Sequence, residues 1–315
     1  MRATFSRILT EAAQRDERVL LLTGDHGYAL FDEFRRNCPG QYINCGVAEQ
    51  NMVGVAAGLA KAGFRPVVYG LAAFVPMRVL EQIKIDVCYE ELPVVFVGDG
   101  AGVVYAQLGT SHQCTEDVAA LRALPNLGIV SPADRFELQY CWKHLLQNNG
   151  AGYLRFGKAD GGDVHAAIPD APVGDLLQVR PGKGDWAIIA TGSMVVAACR
   201  LSASLGGAPV WSAPVLHPIN RAQVEGIGRA YGGIFVVEEH SRAGGLGGLV
   251  AEIVAETGGC RVVRFGTRQF SEFCGDYKYL LSLHGLDDGT LLAGMTSAMA
   301  GAASPPASRK QQRGP

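Results

Sequence analysis

The chain has 315 residues, 48% of them hydrophobic and 18% charged, with a formal net charge of −2. That length and apolar content suit a two-domain globular protein with a sizeable core, and the near-neutral balance excludes an electrostatic case for nucleic acid or an anionic membrane as partner. No apolar run reaches the roughly 18 residues that a membrane span needs, and Met1 to Thr10 carries no signal peptide, so the scattered cysteines, without a CxxC pair, read as reduced core thiols of a cytoplasmic protein.

Phe5 to Arg15 is an amphipathic helix, with Phe5, Ile8, Leu9 and Ala12 on one face. Val19 to Thr23 (VLLLT) is a short continuous apolar run, the mark of a buried parallel strand. It ends in Gly24-Asp25-His26-Gly27, a loop at a strand's carboxyl end, where α/β proteins place ligands. Asp25 and His26 are therefore candidate substrate contacts. Tyr42 to Cys45 is a second strand. The helix after it repeats Val47, Met52, Val55, Ala56 and Leu59 at helical spacing. Glu49 falls in its first turn, where the helix dipole favours a carboxylate. Gly54, Ala57 and Gly58 carry almost no side chain, which predicts a bulky neighbour pressed against the helix, between domains or subunits.

Arg65 to Gly70 and Leu92 to Gly98 are further strands, separated by a helix over Val75 to Cys88. Thr115 to Ala123 is a helix and Leu127 to Val130 a strand. Ser131-Pro132-Ala133-Asp134 reads as a turn and cap for a helix over Phe136 to Gln147, and Gly152 to Phe156 is the last strand of the series. Strands alternating with helices predict a parallel, doubly wound sheet. From Asp160 to Gly184 the pattern gives way to Pro, Gly and Asp, a linker with a small hairpin. A second series follows, with strands at Trp186 to Thr191, Pro209 to Ala213, Gly233 to Glu238 and Cys260 to Phe265. Helices are expected over Gly192 to Ser204 and Leu249 to Glu256. Gly244 to Gly248, which lacks the Walker lysine and the dinucleotide spacing, is a tight turn into the second of these. The expected architecture is α/β, two doubly wound domains with mostly parallel sheets, over 1–160 and 185–300, joined by a linker at 161–184 and followed by a disordered tail at 301–315.

The run Gly46-Val47-Ala48-Glu49-Gln50-Asn51-Met52, leading into a Gly/Ala-rich helix, resembles the pyrimidine-binding half of the transketolase family and of its relative deoxyxylulose-phosphate synthase. Three more stretches resemble it in order and spacing: Leu71-Ala-Ala-Phe74 with Arg78 and Glu81-Gln82-Ile83, then Gly109-Thr110-Ser111-His112-Gln113, then Arg155-Phe-Gly-Lys158. The resemblance covers Thr4 to Gly294, both expected domains. It implies thiamine diphosphate as cofactor, with Glu49 facing its aminopyrimidine. There a carboxyl group promotes the tautomer in which the cofactor's own amine can take the thiazolium proton. It places Phe74, and Leu71 in place of a second aromatic, against the pyrimidine, with Arg78 and Gln50 beside them. It makes His112 a catalytic contact to the reacting end of the substrate, with Gln113 adjacent, and gives Lys158 the substrate phosphate.

Gly98-Asp99-Gly100 with Asn126 has the look of a magnesium motif, but Asn126 stands in Leu124-Pro125-Asn126-Leu127, a turn of the pyrimidine-binding half, so no metal ligand is assigned here. The resemblance puts the diphosphate and Mg2+ site in an N-terminal half on a separate subunit. This chain would then be the C-terminal subunit of a split transketolase, a two-plus-two heterotetramer with the Glu49 helices near the twofold. Ala29, Gly100 and Lys158 stand where the family's serine, histidine and arginine grip a sugar phosphate, and Leu108 replaces an aspartate near the substrate hydroxyls. Lys does not reproduce the bidentate fork of Arg, so a specialised ketol donor or acceptor is expected. Two other readings are the beta subunit of a 2-oxo-acid dehydrogenase and a non-catalytic scaffold or regulatory subunit.

Overall fold

The computed structural model describes residues 1–157 and 161–302. Lys158 and the tail beyond residue 302 lie outside the described residues. In chain order the strands are β1 (Val19–Thr23), β2 (Tyr42–Asn44), β3 (Arg65–Leu71), β4 (Val95–Asp99), β5 (Gly128–Val130), β6 (Gly152–Phe156), β7 (Leu177–Arg180), β8 (Trp186–Ala190), β9 (Val210–Ser212), β10 (Val215–His217), β11 (Gly233–Ser241) and β12 (Arg261–Thr267). They build a seven-stranded sheet, ordered β10-β5-β6-β4-β3-β1-β2, and a five-stranded sheet, ordered β12-β11-β8-β9-β7. Pairing is parallel except for β10 against β5 and β7 against β9, both at sheet edges.

The first sheet is buried on both faces, and strand alternation sorts its side chains. Leu20, Leu22, Val68 and Phe96 point to one layer, packed with Met52, Val53 and Ala56 of the Glu49–Lys61 helix. Leu21, Tyr69, Val95 and Val97 point to the other, packed with Phe5 and Leu9 of the Arg2–Arg15 helix and with Leu138 and Trp142 of the Arg135–Gln147 helix. The first layer runs on without a break into Ala187, Leu216, Val236 and Leu246 of the C-terminal half. The two sheets therefore share a core.

The structure departs from the sequence reading at several points. No hairpin forms between residues 161 and 184; the segment supplies only β7, at the edge of the second sheet. β10 crosses back from the C-terminal half to the first sheet, where Val215 and Leu216 fill opposite layers. The Val75 to Cys88 helix begins at Met77 and widens into a π-type turn over Ile83–Cys88. Helices at Arg221–Ala230, Tyr277–Leu283 and Asp288–Ala302 had no counterpart in the pattern. On the Glu49–Lys61 helix, Ala57 faces the core, whereas Gly54 and Gly58 face open space. Among the described residues no helix is long and apolar enough to cross a membrane.

Candidate active site

Parallel strands end together, so the loops that follow β1, β3 and β4 gather at one rim of the first sheet. The Glu49–Lys61 helix starts there too. Glu49 opens it, only 2% exposed, with Met52 and Val53 anchoring the next turn in the core. Its Oε2 accepts from Arg78 Nη1 at 2.8 Å. Its Oε1 is buried and has no hydrogen-bond partner among the described residues. A buried acceptor without a partner is uncommon and calls for an occupant.

Arg78 is the hinge of the group. Besides holding Glu49, its guanidinium carbon lies 4.2 Å from the centre of the Phe74 ring, a cation–π contact. Two histidines approach the same ring: His112 at 5.4 Å between centroids, edge-on, and His26 at 6.2 Å. His112 Nδ1 lies 3.0 Å from Ser111 Oγ, which fixes the ring's direction, and His26 Nδ1 is buried and unpartnered among the described residues. Phe74 thus collects side chains from the β1 loop, the β3 loop, the 109–113 turn and, through Arg78, the Glu49 helix. Leu71 closes β3 just before it, half-buried.

The remaining expected residues divide. Asp25 sits on the exposed rim with φ +62°. Its Oδ1 accepts from the Tyr28 hydroxyl and from Asn44 Nδ2, and the Tyr28 bond holds its carboxyl below the ordinary range. Asn44 Oδ1 also accepts from the Asp25 and Gly46 amides, tying the loop to the chain entering the Glu49 helix. Tyr28 and Asn44 went unassigned in the sequence, although an Asn at a strand end is a common backbone clasp. Gln50 is exposed beside Glu49. Gln113 is not on the open rim: it is 6% exposed, and its Oε1 accepts from Ser271 Oγ at 2.6 Å. Ser271 in turn lies 2.8 Å from His284 Nε2. Lys158 falls outside the described residues.

Asp99 and Asn126 are each engaged separately. Asp99 Oδ2 accepts from Tyr69 Oη at 2.6 Å and pairs with Arg2 Nε at 3.1 Å, while Asn126 Nδ2 donates to the Cys88 carbonyl. Of the substituted positions, Ala29 is exposed with φ +62° and Leu108 is 54% exposed. Gly100 has φ +77°, and a Cβ there would run into the Tyr105 ring.

The free Glu49 Oε1, on a buried carboxyl whose partner Arg78 lies over the Phe74 ring, suits a heteroaromatic group that offers a ring nitrogen. The family profile described as "Transketolase, pyrimidine binding domain" matches residues 1–162, and "Transketolase, C-terminal domain" matches residues 174–288. The chain is 34% identical to an apulose-4-phosphate transketolase subunit of Phocaeicola vulgatus, over 81% of this chain and 83% of that one. It is 31% identical to the 6-deoxy-6-sulfo-D-fructose transketolase subunit SqwH of a Clostridium species, over 91% and 90% of the two chains. A solved split-gene transketolase, described as an inactive beta4 tetramer, superposes with a TM-score of 0.84 at 30% identity, covering 95% of this chain and 97% of that one. The transketolase of Campylobacter jejuni shares the fold, with a TM-score of 0.78 at 19% identity, and this chain spans 46% of it. A transketolase pyrimidine-binding domain implies thiamine diphosphate, and the chain belongs to the transketolase family.

Proposed function

We propose that this chain is the C-terminal, pyrimidine-binding subunit of a split transketolase that transfers a two-carbon ketol unit with thiamine diphosphate. The observation that carries the reading is the divided Glu49 carboxyl, with Oε2 held by Arg78 and Oε1 buried and free. When bound, the cofactor supplies a thiazolium nucleophile and an electron sink for the two-carbon fragment. Glu49 Oε1 would hydrogen-bond the pyrimidine ring nitrogen. Arg78 keeps that carboxyl from turning away, and Phe74 and Leu71 exclude water from the ring. His112, directed by Ser111, exchanges a proton with the substrate's reacting oxygen. Asp25 and His26 face the rest of the substrate, and Gln113 supports the His112 turn from behind.

In this reading a separate N-terminal subunit holds the diphosphate and Mg2+, in a two-plus-two assembly in the cytoplasm. Residues 1–160 are the pyrimidine-binding domain and 185–300 the C-terminal domain. The open face of the Glu49–Lys61 helix at Gly54 and Gly58 supports an assembled state. Dependence on a partner is supported by two relatives: the apulose-4-phosphate enzyme is named as a subunit, and the beta4 tetramer is described as inactive. Ala29, Gly100 and Leu108 support a specialised sugar, as do two relatives named for apulose 4-phosphate and a sulfosugar.

The test is a titration with thiamine diphosphate and Mg2+ of this chain alone, of the N-terminal subunit alone and of the mixture. Tight binding is expected only in the mixture. Glu49→Ala is expected to lower turnover at least about a hundredfold while the complex still assembles. Retained turnover in Glu49→Ala would sink the assignment, and a mixture that binds no cofactor would leave the scaffold reading.

A further inference from the structure

A second cleft, of about 610 Å3, lies in the C-terminal half where β12 ends. It is lined by Arg242, Arg264 and Arg268 together with Ser282, His284 and Thr290, and none of its lining residues is acidic. The size is that of a small-metabolite site. Neither Glu49, Phe74, His112 nor His26 contributes to it.

The three arginines are brought together by backbone. Arg242 N donates to the Thr267 carbonyl at 3.0 Å, and Arg264 Nη1 donates to the Arg242 carbonyl at 2.9 Å. Burial, and then the charges of Arg268 and Arg264, pull Arg242 below its ordinary pKa. Other arginines of the same half pair with carboxylates: Arg200 with Asp288, Arg221 with Glu256 and Arg229 with Glu225. Among the described residues, no ion pair joins Arg242, Arg264 or Arg268 to an acid. Three like charges around one cleft repel, in a chain whose net charge is −2. A multiply charged anion removes that repulsion. Guanidinium forks match phosphoryl oxygens two at a time, and the Ser282 and Thr290 hydroxyls and the His284 ring offer neutral contacts to the rest of a ligand.

We propose that this cleft is a binding site for a small phosphoryl-bearing metabolite, held by Arg242, Arg264 and Arg268. The purified chain would be titrated with orthophosphate, pyrophosphate and ribose 5-phosphate, at ionic strength matched with sodium chloride. Calorimetry and thermal melting would be the readouts. A saturable heat and a rise in Tm beyond the chloride control are expected. Arg242→Ala and Arg264→Ala are each expected to weaken binding at least about tenfold, as is Arg268→Ala, whose exposed site keeps the fold intact. Ribose 5-phosphate binding more tightly than orthophosphate would mean that the Ser282–His284–Thr290 wall reads the carbon skeleton. Equal affinities would mean a site for the phosphoryl group alone, and either result supports the proposal. No saturable response, or binding unchanged in all three variants, would overturn it. So would a cluster that binds no oxyanion but whose Arg268→Ala variant weakens association with the N-terminal subunit, for the arginines would then be a protein-docking surface.

Discussion

Glu49 and Gly100 mark the two sides of the specificity question at the residue scale. Glu49 keeps a free oxygen for a ligand. Gly100, where the family resemblance leads one to expect a phosphate-binding histidine, cannot take a side chain in the present backbone. Its φ of +77° disfavours any L residue, and a Cβ would enter the Tyr105 ring. Tyr105 therefore fills the space that a side chain at position 100 would need. Gly100→His is expected to lower stability by about 2–4 kcal/mol, and to leave affinity for an ordinary pentose phosphate unimproved. Urea denaturation measures the first and steady-state KM with the partner subunit the second. An unchanged midpoint with a lower KM would refute the packing argument. The side chains that gather round Phe74 (Glu49 through Arg78, His112 and His26) could be singled out as candidates in the sequence, because each sits in a short local stretch. The displacement of Gln113 was not legible, because its partner Ser271 lies 158 residues away.

At the scale of elements, one helix cap does more than its sequence promised. Asp134 caps the Arg135–Gln147 helix as expected, with Oδ1 accepting from the Phe136 and Glu137 amides. Its Oδ2 also accepts from the Val164 and His165 amides at 2.9 Å and lies 3.2 Å from His165 Nδ1, so the cap pins the interdomain segment to the first domain. Beside it Glu137 is fully buried and accepts from the Ala133 amide at 2.7 Å. Burial pushes its carboxyl up to about 7. His165 is pulled down by burial, but its bond to Asp134 and the charge of Glu137 outweigh that and raise it. Both folded-state values then exceed the unfolded ones, so between about pH 4.5 and 7 the folded chain binds more protons than the unfolded chain. The contribution of Glu137 and His165 is full below that window and falls as pH rises through it. Tm at pH 8 is expected to lie below Tm at pH 6, and Glu137→Gln, neutral at both, is expected to shrink the gap. An equal gap in the variant would locate the pH dependence elsewhere. The cap could be read from Ser131 to Asp134 because its signal is local. The cluster could not, and neither could β10 or the Asp288–Ala302 helix: the first is three residues long and the second is small and apolar without a marked face.

At the scale of the whole molecule, the domains are joined by buried charge as well as by the shared apolar layer. Arg155, in β6, is 5% exposed; its Nε donates to Asp117 Oδ2 at 2.8 Å and its Nη2 to the Glu239 carbonyl, also at 2.8 Å. Tyr153 donates to the same Asp117 oxygen at 2.7 Å. Across the joint, the Glu239 carboxyl accepts from the Val103 amide, Ser193 Oγ and Tyr277 Oη, so one residue of β11 ties the β4 loop to further parts of the C-terminal half. These links stand directly behind the loop after β4, which leads to the His112 turn. Arg155 was legible only as the head of a substrate-gripping motif, because Asp117 and Glu239 are brought to it by the fold and by no local pattern. Its burial predicts a structural role. Removing it leaves Asp117 as an uncompensated buried charge, and such losses cost about 3–5 kcal/mol. Arg155→Ala is therefore expected to unfold in urea at a clearly lower midpoint, and Asp117→Asn in the same background to recover part of the loss by removing the stranded charge. If Arg155→Ala instead kept the wild-type midpoint and lost only substrate affinity, the residue would belong to the substrate site and the joint would rest on the apolar layer alone.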